Sequence, residues 1–365
     1  MKTLGIDARL YFQTGVGTYL RNLLSRLTEL NSGQIEYKLF VLQSDLPGIN
    51  PARLPGEMVP TTVRWHGFAE QTVFMKELID AKLDLVHFTY FSYPVLYPGP
   101  FLATIHDLTP LKFRTGKASS KHPVIYRAKH AIFSGVLCSQ AMRAKAIITP
   151  TRSIKNQLQE VYGKGIGKKI FPIYEGINED LIHATPTQPA HKPEKPYLLY
   201  VGNFYPHKNV SSLIEAFRNI QGDYQLILVG PADYFSREIT RKIHSLRLES
   251  RIRMLHEVSS GELVWLYRNA HLFVHPSLAE GFGLPLVEAA YFGLPIVASD
   301  IPVFHELFGD AAFYFNPYRT QEMAQVITQV AGLRPKVDYR SSITRFSFQR
   351  MANEHALLYQ RLLEI

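Results

Sequence analysis

Cysteine is almost absent. The single Cys138 in 365 residues excludes an intrachain disulfide and fits a reducing compartment. Long apolar runs are missing too: no stretch approaches the roughly 18–20 residues of a membrane-spanning helix. Met1–Ala8 is a charged start followed directly by a strand, so no signal peptide and a cytoplasmic setting are expected. There is no H-E-x-x-H, no paired cysteine set and no D-x-D beside a phosphate, so neither a metal nor a cofactor is expected. Zinc-finger spacing, an aromatic RNA-binding signature and a basic helix continuing into heptads are also lacking. Their absence argues against nucleic acid despite a net charge of +9.

Acidic residues are scarce in one place. Leu108–Tyr174 carries 13 Lys and Arg against the single acid Glu160. Residues 1–180 carry 22 basic against 14 acidic side chains, whereas residues 181–365 carry 18 against 17. Such a basic face attracts anionic lipid headgroups or a phosphorylated acceptor; an ordinary solvated basic surface is the alternative. Apolar residues, in contrast, are plentiful. A hydrophobic fraction of 46% and an aromatic fraction of 12% leave little room for disorder, and the length suffices for two domains with separate cores.

The most informative stretch is 271–300, HLFVHPSLAEGFGLPLVEAAYFGLPIVASD. Leu272–His275 reads as a buried strand, 276–284 as a loop with Gly281 and Gly283, 285–292 as a helix opened by Pro285, and 295–299 as the next strand. A unit of this kind puts ligands at the carboxyl ends of parallel strands. Its loop and helix carry Glu280 and Glu288, eight residues apart. The glycines let the backbone approach a ligand, the amides of Leu284 to Val287 offer an anion site, and the two acids suit neutral hydroxyls. A nucleotide sugar has all three parts. The competing reading is a dipole-favoured Glu288 and a solvated loop acid at Glu280.

Glu280, Gly281, Phe282, Gly283, Leu284, Pro285 and Glu288 resemble the E-x7-E signature of the retaining glycosyltransferases of family 4. The resemblance implies an α/β chain of GT-B type: two facing Rossmann-like doubly wound domains with a deep interdomain cleft. The expected division is 1–182 for the first domain, a proline-rich linker at 183–196, a donor domain at 197–345 and a terminal helix in 346–365 returning to the first domain.

Other segments carry the resemblance further. Gly15 and Gly17, between the strand Thr3–Ile6 and the helix Tyr19–Leu30, mark close backbone approach by a ligand or by the other domain. They fall short of G-x-G-x-x-G because Leu20 stands at the third glycine, which also argues against a dinucleotide oxidoreductase. Residues 44–62 read as a surface loop and 122–137 as a helix. The strand Phe101–Ile105 delivers His106 and Asp107 to its carboxyl end, where polar pairs serve ligands. Alternatively, Asp107 caps the following turn and His106 donates to a carbonyl. Ser153 is the expected cap of the helix Ile154–Tyr162, and Arg143 and Arg152 are candidate acceptor or anion contacts. After the strand Tyr197–Val201, Lys208 stands where it can neutralise a departing diphosphate, an ordinary solvent-facing loop lysine being the alternative. That segment resembles the family's G-x-x-x-P-x-K-N element, except that Asn203 occupies a position where the family commonly has arginine.

The resemblance implies a metal-independent retaining hexosyltransferase. His106, Lys208 and Glu280 are its catalytic candidates. The donor is held by Gly15, Gly17, Asn203, Lys208, Glu280, Gly281, Phe282, Gly283, Leu284 and Glu288, with Glu280 on sugar hydroxyls and Glu288 on the ribose. GDP-mannose is the first donor expected and a UDP-hexose the second. The acceptor expected is a saccharide or lipid-linked glycan in bacterial surface polysaccharide assembly, for an enzyme that is cytoplasmic or peripheral on the cytoplasmic face of the inner membrane. A sugar-nucleotide epimerase or hydrolase and a non-catalytic carbohydrate-binding scaffold are the alternatives.

Overall fold

The computed structural model of the protein describes residues 1–30, 33–113 and 123–365, apart from the side chains of 123–129. The chain forms two compact units. The first comprises Met1–Leu111, Val124–Gly176 and Ser347–Ile365, and the second is built on Ile177–Phe346.

In the first unit the strands are β1 (Lys2–Asp7), β2 (Ile35–Leu42), β3 (Glu57–Thr61), β4 (Leu85–Phe88), β5 (Phe101–Thr104), β6 (Ala146–Thr149) and β7 (Ile170–Pro172). All pair in parallel, in the order β3-β2-β1-β4-β5-β6-β7. The second unit has β8 (Tyr197–Val201), β9 (Gln225–Val229), β10 (Ile252–Leu255), β11 (Leu272–His275), β12 (Ile296–Ser299) and β13 (Phe313–Phe315), also parallel, in the order β10-β9-β8-β11-β12-β13. β4, β5, β6, β9, β11 and β12 are buried throughout, which explains why they read as mostly apolar runs with a single polar residue each and not as alternating ones. Strand order reverses between β1 and β4 and again between β8 and β11. These reversals matter because neighbouring loops leave in opposite directions there, opening a crevice at the carboxyl ends.

Three local expectations change. Residues 44–62 are not all loop, because β3 lies within them; it pairs with β2 alone, and an edge strand tolerates Pro60. Thr151, not Ser153, caps the helix Arg152–Tyr162, its hydroxyl accepting from the Ile154 amide at 3.2 Å. The helix expected over 122–137 runs from Pro123 to Arg143. His122, and Arg114, Lys117 and Lys121 of the basic segment, lie outside the described residues.

Two buried polar clusters hold the first unit together. Arg9, just past β1, reaches Asp7 through two hydrogen bonds of 2.8 and 2.7 Å and Glu70 through one of 2.7 Å, with its guanidinium 3.7 Å from the Phe74 ring centroid. A buried arginine requires such partners, and in return it pins the loop that leads to Gly15.

The second cluster docks the terminal helix Phe348–Leu363. His355 Nδ1 faces the Met351 carbonyl at 2.7 Å. A carbonyl can only accept, so Nδ1 carries the hydrogen and Nε2 accepts from the Tyr19 hydroxyl at 2.7 Å. The remaining hydrogens then follow in one direction: Thr104 donates to Tyr19 at 3.1 Å, His87 Nε2 to Thr104 at 2.7 Å, and the Tyr359 hydroxyl to His87 Nδ1 at 2.7 Å. Both imidazoles must be neutral for this, and burial holds them so, pushing His355 down to about 4 and His87 well below its ordinary value. Tyr359→Phe strands His87 Nδ1 and is expected to cost about 1–3 kcal/mol; Tyr19→Phe strands two groups and costs more. Urea unfolding checks the order, and equal, negligible losses would contradict the chain of hydrogen bonds.

Candidate functional site

In the second unit the two loops at the β8/β11 reversal converge. The first runs from Gly202 through a single 3-10 turn, Pro206–Lys208, to Asn209, whose left-handed φ of 58° turns the chain into the helix Val210–Phe217. The second runs from His275 to Gly283. The Leu278 amide donates to the His207 carbonyl at 2.7 Å and joins them. Lys208 Nζ thereby lies 2.6 Å from Glu280 Oε1. Two further donors meet the same oxygen: His275 Nε2 at 2.8 Å and Ser277 Oγ at 2.8 Å. Burial alone would push the Glu280 carboxyl upward. The Lys208 ammonium and the His275 N–H outweigh it and hold the group well below the usual carboxylate range. Glu280 is therefore a charged acceptor, not a proton donor.

The helix Leu284–Tyr291 starts at Gly283, whose φ of 106° suits glycine. Its first turn offers less than expected. Pro285 has no N–H, and the Leu286 and Val287 amides both donate to the Gly283 carbonyl, at 2.9 and 3.3 Å, which leaves the Leu284 amide. Phe282 is buried, its ring edge-on to Phe346 at 5.4 Å, so this side chain packs the loop instead of facing a ligand. Gly281 lies beside it, next to Glu280. Glu288 is buried as well and accepts from the Tyr267 hydroxyl at 2.8 Å. Burial, only partly opposed by that hydrogen bond, pushes its carboxyl up to about 7. Asn203 turns inward: its side chain accepts from the Tyr205 amide at 3.4 Å and its carbonyl from the Tyr200 hydroxyl at 2.6 Å.

The first unit places His106 just beyond β5. Its Nε2 donates to the Thr89 carbonyl at 3.0 Å, its Nδ1 faces Glu175 at 3.3 Å, and the Tyr19 ring stands edge-on at 4.8 Å. With both nitrogens engaged, the ring is oriented by the protein. Asp107 accepts from the Thr109 amide at 2.7 Å and so caps the next turn, the alternative its sequence position allowed. Arg143, a candidate anion contact, is tied instead to the carbonyls of Val95 and Tyr97. Arg152 is exposed at the first position of its helix. Gly15 has a left-handed φ of 69°, and a Cβ on Gly17 would lie 2.5 Å from the Tyr11 carbonyl oxygen. Gly17 is the second residue of the helix Val16–Leu30 and not part of the loop before it, and its missing side chain is required because the helix start packs directly on the Leu10 and Tyr11 carbonyls.

Sequence reasoning passed over His275, Ser277, Tyr267 and Glu175. Only the place of His275 at a strand end offered a signal. Among the described residues no group of three or more His, Cys, Asp or Glu side chains converges as a metal site, and no helix is long and apolar enough to cross a membrane.

The pattern described as Glycosyltransferase Family 4 matches residues 13–181, and that described as Glycosyl transferases group 1 matches residues 183–344. The chain belongs to glycosyltransferase family 4. This glycosyltransferase is 31% identical to the O-antigen chain mannosyltransferase RfbU of Salmonella typhimurium over 251 residues, 68% of this chain and 66% of that one. It is 34% identical to the O-antigen chain mannosyltransferase B of Escherichia coli over 137 residues, 36% of each. The match thus spans about two thirds or less of these curated relatives. Sucrose-phosphate synthase from Thermosynechococcus elongatus superposes with a TM-score of 0.78 at 18% identity over 100% of both chains. HepE of Anabaena, in complex with UDP-glucose, does so with a TM-score of 0.72 at 16% identity over 99% of this chain and 100% of that one. These likenesses establish the GT-B fold.

In this family 4 glycosyltransferase Glu288 makes stability depend on pH. Its folded pKa of about 7 lies above the ordinary carboxylate value, so the native state keeps a proton that the unfolded chain loses from about pH 4.5 upward. The contribution is most favourable below that window and falls as pH rises through it. Glu288→Gln still accepts from Tyr267 and removes the loss, so relative to wild type it gains on the order of 3 kcal/mol between pH 4.5 and 8. Urea transitions at both pH values check this; an unchanged difference would contradict it.

Proposed function

We propose that the protein transfers mannose from GDP-mannose to a saccharide or lipid-linked glycan acceptor in surface polysaccharide synthesis, with retention at the anomeric carbon and without a metal. The observation that carries the reading is the Lys208–Glu280 pair at the β8/β11 reversal, an ammonium and a carboxylate 2.6 Å apart at the carboxyl ends of parallel strands. The O-antigen mannosyltransferases among its relatives support the choice of sugar.

In this scheme Lys208 and the Leu284 amide stabilise the departing diphosphate, and Glu280 accepts hydrogen bonds from sugar hydroxyls through Oε2. Glu288 serves the ribose. The bond from the anomeric carbon to the phosphate oxygen breaks as the bond to the acceptor oxygen forms on the same face. The leaving phosphate oxygen takes the acceptor proton, and the imidazole of His106, its nitrogens engaged by Thr89 and Glu175, screens the positive charge that develops on the sugar. A buried carboxylate that already accepts three donors is a poor nucleophile, which fits hydrogen bonding better than a covalent intermediate. The basic first half supports peripheral contact with anionic lipid, which co-sedimentation with phosphatidylglycerol vesicles tests; no binding at low salt would refute it.

Transfer of labelled mannose from GDP-mannose to polyprenyl-diphosphate-linked saccharides tests the main reading. Lys208→Ala, Glu280→Ala and His106→Ala are each expected to lower kcat/KM by about 10²–10³-fold, while EDTA leaves the rate intact. Wild-type rates in all three variants would remove the site assignment, and a loss with EDTA that metal restores would remove the metal-free scheme.

A further inference from the structure

Glu280 is anchored through one oxygen, and its anchors differ in kind. Lys208 is an ammonium at the end of a long side chain on the other loop. His275 is the last residue of β11 and is enclosed by rings: Tyr200 stacks on it at 5.7 Å and 17°, Phe273 at 5.8 Å and 16°, and Phe304 meets it edge-on at 5.7 Å. Its Nδ1 is buried without a hydrogen-bond partner, so the bond from Nε2–H to Glu280 alone decides which nitrogen carries the hydrogen. Burial, with Lys208 nearby, outweighs the pull of the Glu280 carboxylate and holds the ring below its ordinary value. Ser277 Oγ, two residues on, supplies the third donor.

We propose that His275, assisted by Ser277, is a positioning residue that keeps the Glu280 carboxylate in its sugar-binding orientation when Lys208 turns to the donor phosphates. The inference rests on the reading of Glu280 as the sugar grip. A carboxylate held by Lys208 alone would follow the lysine or lose its partner. With His275 and Ser277 still on Oε1, the group stays charged and Oε2 remains directed at hydroxyls. The phosphate grip and the sugar grip thus share one oxygen without competing for it.

Calorimetric affinities for GDP-mannose and for GDP, in wild type and variants, test this. His275→Phe keeps a stacking ring and removes the donor. It is expected to weaken GDP-mannose about tenfold, the loss of one hydrogen bond to a charged group, and to leave GDP unchanged. His275→Gln, which returns an N–H at similar reach, recovers part of the difference. Ser277→Ala leaves the aromatic enclosure untouched and shows the same selective loss to a smaller degree, which decides the matter if His275→Phe does not fold. Equal weakening of both ligands would overturn the proposal in favour of general loop support. Wild-type GDP-mannose affinity in His275→Phe, with weakened affinity in Glu280→Ala, would overturn it while the reading of Glu280 stands. Wild-type affinity in Glu280→Ala would remove that reading and the proposal with it. If the wild type binds UDP-glucose in preference, UDP-glucose and UDP replace the guanosine pair in the same comparison.

Discussion

A carboxylate buried beside aromatic rings persists in its charged form only where donors and positive charge replace lost hydration. Glu280 meets that condition through Lys208, His275 and Ser277, and the second unit is arranged so that they can meet. β8 and β11 are neighbours although 70 residues of chain separate the end of one from the start of the other. Their loops leave at the same end of the sheet because the strands are parallel, and the Leu278–His207 hydrogen bond sets the distance between them. Removing either loop's partner would leave a buried charge unpaired. The site and the local stability of these loops therefore depend on the same contact.

The second acid of the motif is handled in the opposite way. Glu288 receives a single hydroxyl donor and no cation, so burial prevails and its carboxyl is pushed up to about 7. Two glutamates eight residues apart thus differ in charge near neutral pH, one ionised and one poised between forms. Separation of this kind assigns different tasks to chemically identical groups. A charged acceptor suits several hydroxyls at once. A carboxyl near its midpoint both donates and accepts, which suits a diol such as a ribose.

Much of the fold was legible because fully buried parallel strands produce short apolar runs followed by glycine or polar breaks. β8 and β11 fall where such runs predict them, and the terminal helix Phe348–Leu363 lies within the 346–365 expected for it. β3 was not legible, since an edge strand buried on few sides carries Glu57, Pro60 and Thr61 in place of an apolar run. The side-chain clusters were harder still. Arg9 pairs with Glu70 across 61 residues, His87 with Tyr359 across 272, and Lys208 with Glu280 across 72, and no local pattern encodes such meetings. The motif named Glu280 and Glu288 but not their opposite environments, which depend on what Lys208 and Tyr267 bring from elsewhere. Arg143 misled because a basic residue at a helix end reads the same whether it meets an anion or, as here, two carbonyls.

The measurement that bears most directly on the central claim is ligand-induced thermal stabilisation. The full chain would be tested against GDP-mannose, UDP-glucose, UDP-galactose, UDP-N-acetylglucosamine and the free nucleotides. The account predicts that GDP-mannose raises Tm more than GDP and more than any UDP-sugar, and that Lys208→Ala abolishes the difference. No rise with any nucleotide sugar, at concentrations well above the usual affinities of such enzymes, would contradict a donor site built on Lys208 and Glu280.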